Sequence, residues 1–144
     1  MKKRMKEPWR IALAGALCAS MAACAASKPK GQAQNTYVGG EGLEMQERIG
    51  NRGLERDLKI LRPISERRDG RLHVQFELHN GKTRDLALEY AVTWRDSAGF
   101  AIDTPWRWTP MSIVGQGYRT INITGPTPEA SQWELHVQKP SSVR

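Results

Sequence analysis

The sequence predicts an all-β domain: an antiparallel β-sandwich of six to seven strands that follows an export leader and a flexible tether. The main evidence is that residues 72–79 and 86–95 alternate apolar and polar side chains, which is typical of strands with one buried face. Turn-forming residues, Asn80-Gly81 and Asp96-Ser97-Ala98-Gly99, end both segments. No segment has convincing helical periodicity, and short strands with closely spaced turns favour a sandwich.

Residues 1–23 have the features of a secretory signal peptide. Five Lys/Arg residues precede an apolar run at residues 11–23, and this run is shorter than the roughly 20 residues that span a bilayer as a helix. The leader ends in Met21-Ala22-Ala23-Cys24, which resembles the bacterial lipobox, where the cysteine is acylated and becomes the mature N-terminus. An ordinary cleaved signal and an uncleaved anchor remain alternatives, whereas Cys18 is disfavoured by the bulky Leu17 before it.

The lipobox reading predicts an outer-membrane lipoprotein that faces the periplasm and is held by lipid on Cys24. Ala25 follows the cysteine where Asp would retain such a protein in the inner membrane. The leader carries five basic residues and one acidic residue, so the remaining 121 residues carry 17 basic and 14 acidic residues, a net charge of +3. This charge gives little support to nucleic-acid binding. Without Cys18 and Cys24, the domain has no cysteine for a disulfide and depends on its hydrophobic core.

Residues 24–56 are predicted to be the lipidated cysteine and a flexible tether. Their first half is small, polar and glycine-rich without a period, which is typical of a linker. Residues 44–56 are highly charged and interrupted by Gly50 and Gly53, so at most a short helical turn is expected there.

The sandwich domain is predicted to occupy residues 57–140. Residues 58–62 form a first strand, and Pro63 places it at a sheet edge because proline cannot donate to a ladder. The two alternating strands follow, and later strands are expected near residues 100–102, 111–114, 118–124 and 132–138. In the last strand Trp133, Leu135 and Val137 point inward.

The order of these segments resembles the YcfL-like family, small Gram-negative envelope lipoproteins of unknown function. The matching pieces are LHVQFELHN, LEYAVTWRDSAGF with its Trp-x-Asp-x-x-Gly turn, a tryptophan near Trp108, ITGPTPEAS and WELHV. The resemblance covers residues 58–137 and the lipobox. It implies an immunoglobulin-like fold and assigns no catalytic residues. Some family members are encoded beside an activator of peptidoglycan synthesis, which implies a role in the cell envelope.

The sequence contains no recognisable catalytic, metal or cofactor motif. His73, His79 and His136 fall on outward positions and are interpreted as surface histidines. His73 and His79 are separated by about 20 Å at ~3.3 Å per residue, too far to share a metal. Glu77 and Glu89 could pair on facing outward strands, although a solvated face is the simpler interpretation. We therefore expect no enzymatic activity, no cofactor and no metal.

The tryptophans give the best candidate interaction site. Trp94 and Trp133 lie on inward faces and are interpreted as core residues. Trp106 and Trp108 flank Arg107 between two prolines, in a segment expected to be an edge or a loop. One interpretation is that at least one of them folds over an open end of the sandwich. The other is that the exposed aromatic pair and its cation contact a sugar ring or a protein partner.

These observations predict a non-enzymatic binding or interaction module that contacts a periplasmic protein or peptidoglycan. Two alternatives remain. One is a domain that binds a small molecule or glycan. The other is an inhibitor of a host lysozyme or another hydrolase; since lysozyme is basic, a net charge of +3 argues against it.

Overall fold

The computed structural model describes residues 32–141, and this part of the chain forms ten β-strands and one short helix. In chain order the elements are β1 (Asn35–Gly40), β2 (Leu43–Ile49), α1 (Arg52–Asp57), β3 (Leu58–Ile60), β4 (Ile64–Arg68), β5 (Arg71–Asn80), β6 (Leu86–Arg95), β7 (Ala101–Ile102), β8 (Thr109–Ile113), β9 (Tyr118–Thr124) and β10 (Gln132–Gln138). The strands form two antiparallel sheets.

The larger sheet has six strands in the order β2-β1-β10-β6, followed by β7 and β8, which both pair with the far side of β6. β7 and β8 are therefore two pieces of one interrupted edge strand. The six residues between them, 103–108, leave the sheet.

The smaller sheet is built around β5, with β9 on one side and β3 and β4 on the other. Leu58 pairs with Asn80, whereas Ile64 pairs with Gln75, so the edge strand gains one residue at the break between β3 and β4. Pro63 lies in this break, where its missing N–H costs no ladder hydrogen bond. The prediction of an edge strand that ends near Pro63 is confirmed.

The predicted sandwich is confirmed, and its core lies between the two sheets. Phe76 of β5 and Trp133 of β10 meet at the centre, with ring centroids 4.7 Å apart and an interplanar angle of 84°. Trp94 and Trp133 are buried, as predicted. Three strands go beyond the predicted ones: β1 and β2 come from the predicted tether, and β4 is the second piece of the edge strand that begins with β3.

The prediction that residues 24–56 form a tether is wrong for residues 35–56. β1 lies inside the larger sheet, between β2 and β10, and its Tyr37 belongs to the core. Burial raises the pKa of the Tyr37 hydroxyl to about 12. The domain therefore begins before residue 57. The predicted signal peptide (residues 1–23) and Cys24 lie outside the described residues.

The two glycines that suggested a flexible linker instead permit close packing of β1. Gly39 pairs with Trp133, and a Cβ atom at Gly39 would lie 2.3 Å from Cζ2 of that indole. At Gly40 a Cβ atom would lie 2.6 Å from the Ser131 carbonyl oxygen. A side chain at either position would collide with β10 or the residue before it.

Arg67 joins the N-terminal hairpin to the smaller sheet. Its Nε and Nη2 atoms donate to the two carboxylate oxygens of Glu41, at 2.8 and 2.7 Å. The same guanidinium donates to the carbonyl oxygens of Gly70, Pro128 and Ala130. One side chain thus links the β1–β2 turn, the β4–β5 turn and the loop before β10.

No helix in residues 32–141 is both long enough and apolar enough to cross a membrane.

Candidate functional site

The segment between β7 and β8 carries the predicted interaction residues, Trp106, Arg107 and Trp108. Trp106 is 50% exposed, Arg107 is exposed and Trp108 is partly buried. The two indoles meet edge to face with centroids 5.4 Å apart. Trp106 also packs on the ring of His136, at 4.7 Å. Trp106 therefore lies on the outer face of the larger sheet and does not cover an open end of the sandwich.

His136 is not the surface histidine that the sequence predicted. It points outward from β10, as expected, but it is buried. The Thr36 hydroxyl lies 3.1 Å from Nδ1, and the Thr93 hydroxyl lies 3.1 Å from Nε2. A hydroxyl can donate or accept, so these threonines satisfy both ring nitrogens of a neutral imidazole. The Trp106 indole packs against the imidazole and adds to this burial.

Burial lowers the pKa of His136, and the positive charge of Arg48 lowers it further; the carboxylate of Glu134 opposes both. In the unfolded chain the imidazole regains its ordinary pKa of about 6.5. Its contribution to stability is therefore fully present above about pH 6.5 and is lost as the pH falls toward the lower pKa of the folded state.

We accordingly expect the melting temperature to fall as the pH is lowered through the range just below 6.5. A His136→Gln variant should lose this component of the pH dependence, because no imidazole has to be kept neutral. Thermal melts of both proteins between about pH 7.5 and pH 5 measure the difference. Parallel pH profiles for the two proteins would contradict this account of His136.

The other two histidines lie on the opposite side of the molecule. His73 and His79 are partly exposed on β5, in the smaller sheet. His73 Nδ1 lies 3.1 Å from the Thr124 hydroxyl, and the ring of His79 stacks on Tyr118 with centroids 4.5 Å apart. Within residues 32–141 no group of three or more His, Cys, Asp or Glu side chains could hold a metal ion.

The possible pair of carboxylates is not formed. Glu77 lies on β5 of the smaller sheet, whereas Glu89 lies on β6 of the larger sheet. The Glu89 carboxylate instead accepts a hydrogen bond of 3.1 Å from the Gln138 side chain.

An ion pair lies beside His136 on the outer face of the larger sheet. Arg95 Nε donates to Oε1 of Glu134 at 2.9 Å. The Arg95 side chain is 40% exposed, whereas that of Glu134 is only 10% exposed. The second carboxylate oxygen of Glu134, Oε2, lies 3.7 Å from Nε2 of His136.

The predicted turn after β6 holds Arg95 in place. Oδ1 of Asp96 accepts from the backbone N–H groups of Ala98 and Phe100, both at 2.9 Å. Gly99 adopts a φ of 90°, which favours glycine. Its carbonyl oxygen accepts a 3.0 Å hydrogen bond from Arg95 Nη1. The Trp-x-Asp-x-x-Gly turn therefore orients a site residue.

Two depressions meet at this ion pair. The first has a volume of about 490 Å³ and is lined by Thr93, Trp94, Arg95, Ala101, Ile102, Asp103, Thr104, Trp106, Glu134 and His136. The second has a volume of about 450 Å³ and is lined by Val38, Gly39, Leu43, Glu44, Gln46, Arg48, Arg95, Gly99, Gln132 and Glu134. Both volumes fall in the range of roughly 300–1,000 Å³ that is common for small-molecule sites. Since both depressions are lined by Arg95 and Glu134, we call the two depressions together the outer-face groove.

A family model described as "Protein of unknown function (DUF1425)" matches residues 45–139, which is 95 of the 144 residues. The chain belongs to the DUF1425 family. The match starts within β2, so the family model, like the structure, places part of the predicted tether in the domain. A comparison with curated proteins finds no match.

Two crystal structures resemble this DUF1425 domain. A DUF1425 family member from Shewanella sp. pv-4 aligns with a TM-score of 0.54 and 21% identity, covering 59% of this chain and 80% of its own. Campylobacter jejuni cj0090 aligns with a TM-score of 0.51 and 17% identity, covering 56% of this chain and 85% of its own. At these identities the similarity establishes the fold alone.

Proposed function

We propose that this DUF1425 protein is a non-enzymatic binding module of the cell envelope, and that it contacts its ligand through the outer-face groove. The observation that carries the proposal is the position of Trp106. A large aromatic side chain is half exposed at the wall of a groove, although the core between the sheets is closed without it. Tryptophan is among the residues most enriched at binding hot spots.

The groove suits binding rather than turnover. Its buried histidine is enclosed by two threonine hydroxyls and the Trp106 ring, and its carboxylate is paired with Arg95. Both ring nitrogens of the histidine are occupied by these hydroxyls, and the Trp106 ring covers the imidazole, so the histidine is held within the sheet face and is not presented to a ligand in the groove. Hydrogen bonds and ring packing hold these groove side chains in place. Side chains that are already fixed lose little conformational freedom when a ligand binds.

The location forms part of the same proposal. The lipobox-like Met21-Ala22-Ala23-Cys24 and the following Ala25 support acylation of Cys24 and anchoring at the periplasmic face of the outer membrane. Within the DUF1425 family, we propose that the chain is of the YcfL-like type, on the strand segments and lipobox described above. The partner is then a component of the periplasm, either a protein or peptidoglycan.

A single experiment in cells tests both parts. We expect the wild-type protein to fractionate with the outer membrane and to form a crosslinked species through a photoreactive residue at Arg107. Cys24→Ala should release the protein in soluble form. Trp106→Ala should abolish the crosslinked species while the protein remains folded, as judged by its circular dichroism spectrum. Tyr118→Ala is the matched control, because Tyr118 is similarly exposed but lies on the smaller sheet.

Two results would contradict the proposal. If residues 1–23 remained on the natural protein, as determined by mass spectrometry, the lipid anchor would be refuted. If crosslinking survived Trp106→Ala, or failed equally in Tyr118→Ala, the groove would not be the contact surface.

A further inference from the structure

We infer that the outer-face groove binds a neutral oligosaccharide, with one sugar ring packed against Trp106 and sugar hydroxyls bonded to Arg95 and Glu134. This inference rests on the proposed function, since it names the ligand class of the same groove.

The ion pair leaves one donor atom, Nη2 of Arg95, and one acceptor atom, Oε2 of Glu134, without a hydrogen-bond partner among the described residues. Arg95 uses Nε for Glu134 and Nη1 for the Gly99 carbonyl, and among the described residues its Nη2 has no partner. Glu134 uses Oε1 for Arg95, and its Oε2 accepts no hydrogen bond within residues 32–141. Both side chains line the two depressions. A hydroxyl group both donates and accepts, so neighbouring hydroxyls on a sugar match this pair of atoms.

The groove carries charges of both signs. Two cations, Arg48 and Arg95, lie among three carboxylates, Glu44, Asp103 and Glu134, so the two signs are interspersed and the net charge is −1. An anionic ligand would approach Glu134, and a cationic ligand would approach Arg95, so each would meet a like charge. A polar but uncharged ligand avoids both penalties.

Trp106 gives the groove an exposed aromatic surface. Its side chain is 50% exposed and lines the same depression as Arg95 and Glu134. The face of an indole carries negative charge density, which attracts the polarised C–H groups on the face of a sugar ring. An apolar face next to a few fixed polar groups is the usual composition of a small-ligand site.

The two adjoining depressions set the size of the ligand. The depression at Trp106 and the depression at Arg48 are both lined by Arg95 and Glu134, so they lie on either side of this ion pair. A ligand that bonds to this ion pair can therefore extend to both sides, from Trp106 across β10 toward Gln46 and Arg48 on β2. This geometry favours a chain of sugar rings over a monosaccharide.

Isothermal titration calorimetry of the purified full-length protein tests the inference. The probes are the β-1,4-linked tetrasaccharides of glucose and of N-acetylglucosamine, with tetragalacturonate as the anionic counterpart. We expect saturable binding of at least one neutral probe. Tetragalacturonate should bind at least about tenfold more weakly or not at all. Trp106→Ala should weaken neutral-probe binding about tenfold or more. Trp106→Phe should restore part of it, because it keeps an aromatic face.

The matched control is again Tyr118→Ala, which removes an exposed aromatic ring from the other sheet and should leave binding unchanged. Native circular dichroism spectra and cooperative thermal melts for both alanine variants would exclude unfolding as the cause of a loss. The inference is overturned if neither neutral probe binds at about 10 mM, if tetragalacturonate binds more tightly than both, or if Trp106→Ala binds as well as wild type. A Trp106-dependent crosslink to a protein in cells, together with no sugar binding, would overturn this inference and leave the proposed function standing.

Discussion

Replacing Phe76 with Ala should lower the free energy of unfolding by about 3–5 kcal/mol, as for other fully buried aromatic side chains. Phe76 is 0% exposed on the central strand of the smaller sheet, and its ring meets the Trp133 indole edge to face. The substitution removes this contact and leaves a cavity between the sheets. Chemical denaturation monitored by circular dichroism measures the loss, which would be a large share of the stability of a small domain.

Phe100 provides a matched control for this measurement. It is the other phenylalanine of the chain, and it is 73% exposed. Phe100→Ala makes the same chemical change at the surface and should alter the free energy of unfolding by less than about 0.5 kcal/mol. Similar losses for the two variants would contradict the assigned core.

Replacing Gly39 with Ala should lower the free energy of unfolding by about 1–3 kcal/mol, because overpacking a core forces side chains and backbone to shift. The added methyl group would lie 2.3 Å from Cζ2 of Trp133 and 2.9 Å from two further atoms of the indole. Trp133 is 1% exposed and packs on Phe76, so the indole has little room to move. A flexible tether at residue 39 would instead tolerate the alanine.

Gly81→Ala is the control for the Gly39 substitution. At Gly81 the nearest atom to an added Cβ lies 3.5 Å away, at ordinary contact distance, and the backbone is not in the left-handed region. Chemical denaturation should therefore detect a loss only for Gly39→Ala. Equal stability of the two variants would contradict the placement of β1 beside β10.

The sequence predicted the central strands because apolar and polar residues alternate along them. In β5 this alternation matches the burial, whereas in β10 the polar residues of the outer face are buried as well. β2 could not be recognised in this way. It is an edge strand in which residues on both faces are exposed, so its composition resembles that of a charged loop.

β1 was missed for a different reason. Gly39 and Gly40 suggested flexibility, but the same residue type also permits close approach between strands. Whether a glycine indicates flexibility or close packing depends on the residue that lies opposite it. The partner of Gly39 is Trp133, 94 positions later in the chain, and no local pattern indicates such a pairing.

The candidate site was predicted in part. The proline-bracketed Trp106 and Trp108 were found from composition and position, and the structure brings them together. Arg95 and Glu134 were not recognised as site residues, because they meet only through the pairing of β6 with β10. The burial of His136 was also not predictable from the period of β10. Residues 103–108 leave the sheet edge and place Trp106 over the imidazole on the outer face, and every residue of β10 after Gln132 is buried.

An NMR titration of the ¹⁵N-labelled protein with the neutral tetrasaccharides tests the outer-face groove most directly. If the groove binds these ligands, the indole resonance of Trp106 and the backbone resonances near Arg95 and Glu134 should shift with a common saturation curve, while the buried Trp133 indole should not. Shifts centred on Tyr118 and His79 of the smaller sheet, or a Trp106 resonance that does not move, would contradict the claim that the outer-face groove is the binding surface.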